Sequence, residues 1–328
     1  MGNVSADFDL RIAVLIPCYN EEHAIAHVVD DFRSALPGAV VYAYDNNSRD
    51  GTRLRAIEAG AVVRGESRQG KGFVVRRMFS DIEADVYVLV DGDGTYDASV
   101  APAMVSLLVN ERLDMVVGRR ISDSTSLRAS HRFGNRLFTR VVAQIFGNRF
   151  EDILSGYRVF SRRFVKSFTV FTGGFEIETE MTIHALTLNL PIQEVDTQYR
   201  SRAEGSQSKL STYKDGFHIL ATIVTLFREE QPLVFFSILG SAFILLALIL
   251  IYPVVMEFLE TGLVPRFPTA ILSTGLVLSG LFSYAAGIIL DTVTRGRRES
   301  KMLAYLAIPL IEGHDEVRQR PKPSDSND

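Results

Sequence analysis

Three loops rich in side-chain oxygen each follow a short apolar run. Arg11 to Pro17 (RIAVLIP) leads into Pro17-Cys18-Tyr19-Asn20-Glu21-Glu22, and Val40 to Asp45 (VVYAYD) leads into Asp45-Asn46-Asn47-Ser48-Arg49-Asp50-Gly51-Thr52. Val86 to Asp91 (VYVLVD) leads into Asp91-Gly92-Asp93-Gly94-Thr95-Tyr96-Asp97. Taken singly these loops are ordinary, because Asn20 and Ser48 to Asp50 suit helix caps and Asp-Gly pairs suit turns. Asp91 and Asp93 form the most specific pair. Alternate residues leaving a strand bring two carboxylates close together, which is tolerated when a divalent cation neutralises them. A cation held by one or two carboxylates and completed by phosphate oxygens is the behaviour of Mg²⁺ or Mn²⁺ with nucleotides.

Two other templates fit the string DGDGT poorly. A haloacid-dehalogenase phosphatase opens its fold with D-x-D-G-T and follows it with a lysine and a paired acidic loop, whereas here three apparent strands come first and no adjacent Asp pair follows. An EF-hand needs Gly where Tyr96 stands and a bidentate acid where Pro102 stands. Arg68-Gln69-Gly70-Lys71-Gly72 places a Gly-rich backbone and a cation before a helix, a setting that favours an anion, although the Walker A pattern is missing.

Elements of one type must position these loops. Arg11 to Pro17, Val40 to Asp45, Ala61 to Arg64 and Val86 to Asp91 have the continuous apolar character of strands buried on both faces. Helical patterns over Glu21 to Ala35, Asp50 to Ala59, Lys71 to Glu83 and Ala98 to Glu111 separate them. The order βαβαβαβ predicts an α/β fold, a Rossmann-like, mostly parallel sheet with helices on both sides, and in such sheets ligands bind at the carboxyl ends of strands.

Composition narrows the classes. The chain has 328 residues, a formal net charge of −4, one Cys and no Trp. Cys18 alone builds neither a disulfide framework nor a zinc module, and an acidic total argues against nucleic acid as a partner. Leu233 to Met256 and Phe267 to Leu290 carry no charged side chain over about 24 residues each, long enough to span a bilayer. Arg295, Arg297, Arg298 and Lys301 follow the second stretch, so that flank is expected in the cytoplasm, with both termini and the domain over residues 1–231, on a multi-pass inner membrane protein. Leu210, Tyr213, Phe217, Leu220, Val224 and Phe227 repeat at helical spacing and read as an amphipathic juxtamembrane helix, with Met302 to Ile311 as a second. Gly275, Ser279 and Gly280 would permit the spans to pack with copies of themselves, a homo-oligomer. The expected division is a tail over 1–10, an α/β domain over 11–209, the amphipathic helix over 210–231 and a hairpin over 232–291. A basic flank with a second interfacial helix over 292–312 and a disordered tail over 313–328 complete it.

Pro17-Cys18-Tyr19-Asn20-Glu21, Asp45-Asn46-Asn47-Ser48 with Asp50-Gly51-Thr52, the Gly70-Lys71-Gly72 loop and Asp91-x-Asp93, in this order, resemble family 2 glycosyltransferases of the GT-A fold. More narrowly, the chain is similar to the membrane-anchored polyprenyl-phosphate glycosyltransferases related to dolichyl-phosphate mannose synthase, over about residues 11 to 210 and the two C-terminal spans. The resemblance implies a nucleotide-sugar site built from Pro17, Tyr19, Asn20, Glu21, Asp45, Asn47, Lys71, Asp91 and Gly92, with Asp45 receiving the base. It implies that Asp91 and Asp93 hold Mg²⁺ or Mn²⁺ on the diphosphate. It makes Asp152, in Asp152-x-x-Ser155-Gly156-Tyr157-Arg158, the residue beside the reacting atoms, together with Asp93. Arg119, Arg120, Arg132, Arg136, Arg158, Arg202 and Lys209 become candidates for a polyprenyl phosphate acceptor, and Phe175-Glu176-Ile177-Glu178 resembles a later helix start, its Glu176, Glu178 and Glu180 otherwise a solvated helix face.

The chain departs from the mannose synthases in having Thr95 where they carry Gln and Asp45-Asn46-Asn47-Ser48 where they carry Asp-Asp-Gly-Ser, which favours a UDP-sugar over GDP-mannose. Processive synthases of the superfamily carry Q-x-x-R-W, impossible without Trp. A different acceptor, or a non-catalytic membrane scaffold that binds sugar-nucleotide, is the other reading.

Overall fold

A computed structural model of the chain describes residues 10–121, 150–169, 177–200, 224–225 and 227–310. Its first elements are β1 (Ile12–Cys18), α1 (Ile25–Ala35), β2 (Val40–Asp45), α2 (Thr52–Glu58), β3 (Val62–Gly65), α3 (Lys71–Asp81) and β4 (Val86–Leu89). They follow the expected alternation. A 3₁₀ turn (Ala98–Val100), α4 (Ala101–Asn110), β5 (Met115–Ile121), β6 (Arg158–Ser161), α5 (Arg162–Ser167), α6 (Ile177–Thr187) and β7 (Ile192–Gln198) continue the domain.

The seven strands form one sheet in the order β3-β2-β1-β4-β6-β5-β7. β1 pairs in parallel with β2 and β4, and β2 with β3, but β3, expected to be buried on both faces, is an edge strand with Val62, Arg64 and Gly65 exposed, because among the described residues no further strand pairs along its outer side. Every residue of β4 and nearly all of β1 is buried, because helices cover both faces of these central strands. β6 runs antiparallel to both β4 and β5, and no pattern in its short sequence announced it. Its reversal matters for the site. Arg158, the first residue of β6, pairs with Leu89 near the end of β4, so the segment 152–157 arrives beside Asp91.

Three helices begin later than their patterns suggested, α2 by only two residues. α1 starts at Ile25 rather than Glu21, after a turn in which the Glu21 carbonyl accepts the Ala24 and Ile25 N–H groups, while the N–H groups of Asn20, Glu21 and Glu22 donate to Ser48, Thr52 and Asp50. The apolar face of α1, Ile25, Val28, Val29 and Phe32, is buried at the spacing of one helix stripe. Ala98 to Glu111 divides into the 3₁₀ turn, capped by Asp97 accepting from the Ser99 N–H at 3.0 Å, and α4 with Pro102 in its first turn.

The chain forms two compact units, residues 1–212 with 301–328, and residues 213–300. α7 (Pro232–Thr261) and α8 (Phe267–Leu306) are long and apolar enough to cross a membrane. α8 corrects the expected division at its C-terminal side. The second span, its basic flank and Met302 to Leu306 are one continuous helix, not a span followed by a separate interfacial one. Most of the amphipathic segment 210–231 and the tail from 311 lie outside the described residues.

Within the second unit, α7 and α8 touch backbone to backbone. A β-carbon on Gly240 would stand 2.9 Å from the carbonyl oxygen of Gly280, and the Ser241 and Tyr284 hydroxyls share a hydrogen bond of 2.6 Å. Gly280, expected to serve contacts between copies, is thus consumed inside the hairpin, whereas Gly275 has nothing within 4 Å of its would-be β-carbon. Arg297 and Arg298 ion-pair with Glu230, at 3.6 and 3.2 Å, so part of the basic flank is neutralised locally.

Candidate active site

The first two loops hold each other. Asn20 donates its N–H to Ser48 Oγ at 2.9 Å and accepts the Arg49 N–H on Oδ1 at 2.8 Å. Glu21 donates its N–H to Thr52 Oγ1, and Glu22 Oε2 accepts the Gly51 N–H, both at 2.8 Å. Asn20 takes a positive φ of 53° to make this crossing. Pro17 and Tyr19 are half-buried beside it. The motif therefore fixes the mouth of the sheet.

Asn46, which sequence reasoning passed over, is the next clasp. Buried to 4% exposure, it donates from Nδ2 to the Glu66 and Arg68 carbonyls at 2.9 and 2.7 Å, and its Oδ1 accepts the Gly70 N–H at 2.7 Å. The loop that carries Lys71 hangs on this amide. Asp45 and Asn47 line a cleft of about 330 Å³ with Arg53, Glu66, Ser67 and Arg77.

At the end of β4, Asp93 is buried and its Oδ1 accepts the Thr95 hydroxyl at 2.6 Å and the Thr95 N–H at 3.2 Å. Gly94 turns the chain with φ of +73°, which lets this short loop close on itself. Gly92 lies against Ile16, Cys18 and Ile25, where a β-carbon would stand 3.2 to 3.4 Å from their side chains. Asp91 and Asp93 both line a second cleft, of about 320 Å³, with Tyr96 and Arg200.

Lys71, at the start of α3, ion-pairs with both Asp91 and Glu178. Burial works to lower its pKa, but the two carboxylates outweigh it and raise the group above its usual range, so the ammonium stays charged. Glu178 is itself buried on α6, and Glu180 is half-buried. Glu176 lies outside the described residues.

The other side of the site is built on β5, β6 and β7. Asp152 is buried and grips Arg120 with both oxygens, from Nε and Nη2 at 2.7 Å each, and also accepts the Arg120 N–H at 3.1 Å. The guanidinium lies 5.5 Å from the Tyr199 ring centre. Tyr96 connects the two sides, since its hydroxyl accepts the Gly156 N–H at 2.9 Å and its ring packs on Tyr157 and Tyr199. A carboxylate so occupied by one arginine is suited to orienting that arginine rather than to taking a proton.

Arg158 is not an acceptor ligand. It is fully buried, donating to the Ser155 and Ile153 carbonyls, to Thr182 Oγ1 and to Met115 Sδ, and so braces the segment 152–158 from within. Its burial pushes its pKa down to about 10. Arg119 is partly exposed and paired with Glu151 and Asp196. Arg132, Arg136, Arg202 and Lys209 lie outside the described residues.

A divalent cation fits this donor set. Among the described residues no cluster of three or more His, Cys, Asp or Glu side chains is arranged to hold a metal. Two carboxylates lining one cleft suit instead a hard cation that takes its remaining ligands from phosphate oxygens and water.

A mostly parallel sheet whose carboxyl edge gathers an Asp-x-Asp pair, a lysine and an arginine–carboxylate pair defines a GT-A glycosyltransferase. Residues 13–168 match the family model Glycosyl transferase family 2, and glycosyltransferase AglJ of Haloferax volcanii is 35% identical over 291 residues, 88% of this chain and 95% of that one. The chain belongs to glycosyltransferase family 2. It is also similar to a dolichyl-phosphate hexose transferase of Haloferax volcanii, 29% identical over 221 residues that cover 67% of this chain and 95% of the relative. Among solved structures, glucosyl-3-phosphoglycerate synthase of Mycobacterium tuberculosis in complex with Mn²⁺, UDP and phosphoglyceric acid shares the fold. The TM-score is 0.57 at 21% identity, over 68% of this chain and 80% of that one.

Proposed function

We propose that this glycosyltransferase moves a sugar from a nucleotide-sugar, UDP-linked in preference to GDP-mannose, onto a polyprenyl phosphate at the cytoplasmic face of the inner membrane. The observation that carries the reading is the convergence of Asp91, Asp93 and Lys71 with the Arg120–Asp152 pair around Tyr96, at one edge of the sheet. One charged group suits a nucleotide diphosphate and the other a phosphate monoester. The relative named for a dolichyl phosphate acceptor and the fold relative seen with Mn²⁺ and UDP support the two halves separately.

The chemistry follows from the acceptor. A polyprenyl phosphate has a second pKa near 6, so its oxygen is largely ionised at neutral pH and needs no base. That oxygen attacks the anomeric carbon, the bond from carbon to the diphosphate oxygen breaks, and the nucleoside diphosphate leaves with the electron pair. Configuration inverts, and no proton has to move. Asp91 and Asp93 would hold Mg²⁺ or Mn²⁺, which when bound neutralises the diphosphate and makes it a better leaving group. Lys71, held between Asp91 and Glu178, offsets part of their charge and fixes the Asp91 carboxylate, and Arg120, oriented by Asp152, offers its remaining N–H donors to the acceptor phosphate. Asp45 and Asn47, lining their cleft, would receive the base.

α7 and α8 give the arrangement its lipid context, because a membrane-tethered enzyme meets a lipid phosphate at raised effective concentration. Arg295 and Lys301 near the end of α8 support a cytoplasmic catalytic domain. The test is transfer by purified protein in detergent, with undecaprenyl phosphate, Mg²⁺ or Mn²⁺ and a panel of UDP- and GDP-sugars, read by mass. One donor giving a lipid phosphosugar is expected, and Asp91→Ala is expected to abolish metal-dependent transfer with the fold retained. Protein that is folded, binds nucleotide and forms no product with any donor would redirect the reading to another acceptor or to a scaffold.

A further inference from the structure

We infer that Glu194 is a positioning residue for the acceptor side of the site, setting the place of the Arg120–Asp152 pair through the backbone. The inference rests on the reading of Arg120 as the cation that meets the acceptor phosphate. Glu194 stands on β7 in register with Val117 of β5, three residues before Arg120. Its side chain is half-buried and bound at both oxygens. One oxygen accepts the Glu151 N–H at 2.9 Å and the other the Asp152 N–H at 3.0 Å.

Two successive backbone donors facing one carboxylate form a cradle that an ionised side chain satisfies fully and an amide only by half. The segment is gripped again on either side, by Arg119 on the Glu151 side chain and by Arg120 on the Asp152 carboxylate. Arg119 in turn pairs with Asp196, two residues after Glu194 on β7. Asp152 therefore receives its position from Glu194 and passes it to Arg120. Without Glu194, the Asp152 N–H loses its acceptor in a part-buried setting, the exposed Glu151 N–H is left to water, and the Asp152 backbone is free to shift away from the guanidinium.

The experiment uses the full chain in detergent and measures binding of undecaprenyl phosphate with no donor present. UDP binding in Mn²⁺ is measured beside it. Glu194→Ala is expected to weaken lipid phosphate binding about tenfold or more, the scale of a lost charge-assisted hydrogen bond. Glu194→Gln, which keeps one good acceptor, should lose only about threefold, with UDP affinity within about twofold of wild type in both. In an Arg120→Met background, Glu194→Ala should add little further loss, because the two act as one unit. Undiminished lipid phosphate binding by Glu194→Ala, full additivity with Arg120→Met, or an equal fall in UDP affinity would overturn the role. A wild-type protein that binds UDP but no lipid phosphate would overturn the acceptor reading, and this role with it.

Discussion

Gly156 lies so close to Asp91 that a β-carbon on it would stand 2.5 Å from Asp91 Oδ2. The contact joins two segments that are remote in sequence, the end of β4 and the loop entering β6, and leaves no space for a side chain between them. Gly156→Ala should therefore push Asp91 out of place without dismantling the sheet, since the clash falls on a side-chain end and not on backbone. Transfer is expected to fall by about a hundredfold with a stability loss near 1 kcal/mol, at the low end for overpacking. Mn²⁺ titration in the presence of UDP should show the weakened site, and wild-type turnover in this variant would refute the assignment of Asp91.

Arg158 gives the opposite signature. Replacing it with Met would orphan the Ile153 and Ser155 carbonyls in the interior, a loss of about 3 kcal/mol or more. Thermal unfolding is the measurement. A variant as stable as wild type, impaired only in its KM for acceptor, would restore Arg158 to the surface role its sequence suggested.

His184 makes stability sensitive to acid. It is 2% exposed, packed edge-on to Phe164 and Phe168, and burial with the nearby Lys301 charge pushes its pKa down to about 3. An unfolded chain protonates the same ring near 6.5, so as pH falls from 6.5 toward 3 the unfolded state takes up a proton that the folded state does not. Stability contributed by the neutral ring is full above pH 6.5 and declines by about 1.4 kcal/mol per unit below it. His184→Leu should flatten that part of a denaturation series against pH, and an unchanged slope would show that the ring does not control it.

The hairpin should depend on its small residues unequally. Gly280→Leu would drive a side chain into Ile244, 2.7 Å from the would-be β-carbon, and into the Gly240 carbonyl, whereas Gly275→Leu meets nothing within 4 Å. Gly280→Leu is expected to lower the unfolding temperature in detergent by several degrees, from about 1–3 kcal/mol of overpacking, with Gly275→Leu near wild type. Equal effects would mean that the two helices do not pack at Gly280.

Much of this protein was legible in its sequence because the signals are local. Continuous apolar runs fixed β1, β2, β3 and β4 within a residue or two, and alternate acids at a strand end singled out Asp91 and Asp93. Long uncharged stretches marked α7 and α8. Periodicity, charge-free length and loop composition need no knowledge of what lies across the fold.

The tertiary structure decided which charged residues face inward and whom they meet. Lys71 reaches Glu178 across 107 residues of chain, Asp152 answers to Glu194 across 42, and Arg158 proved to be a brace where its letter alone also suited a phosphate ligand. A buried arginine and an exposed one have the same sequence appearance, because burial depends on whether distant carbonyls and carboxylates arrive to replace water. That is settled when antiparallel β6 enters the sheet and carries the segment 152–157 to Asp91, a placement that short strands without a distinctive pattern do not encode locally.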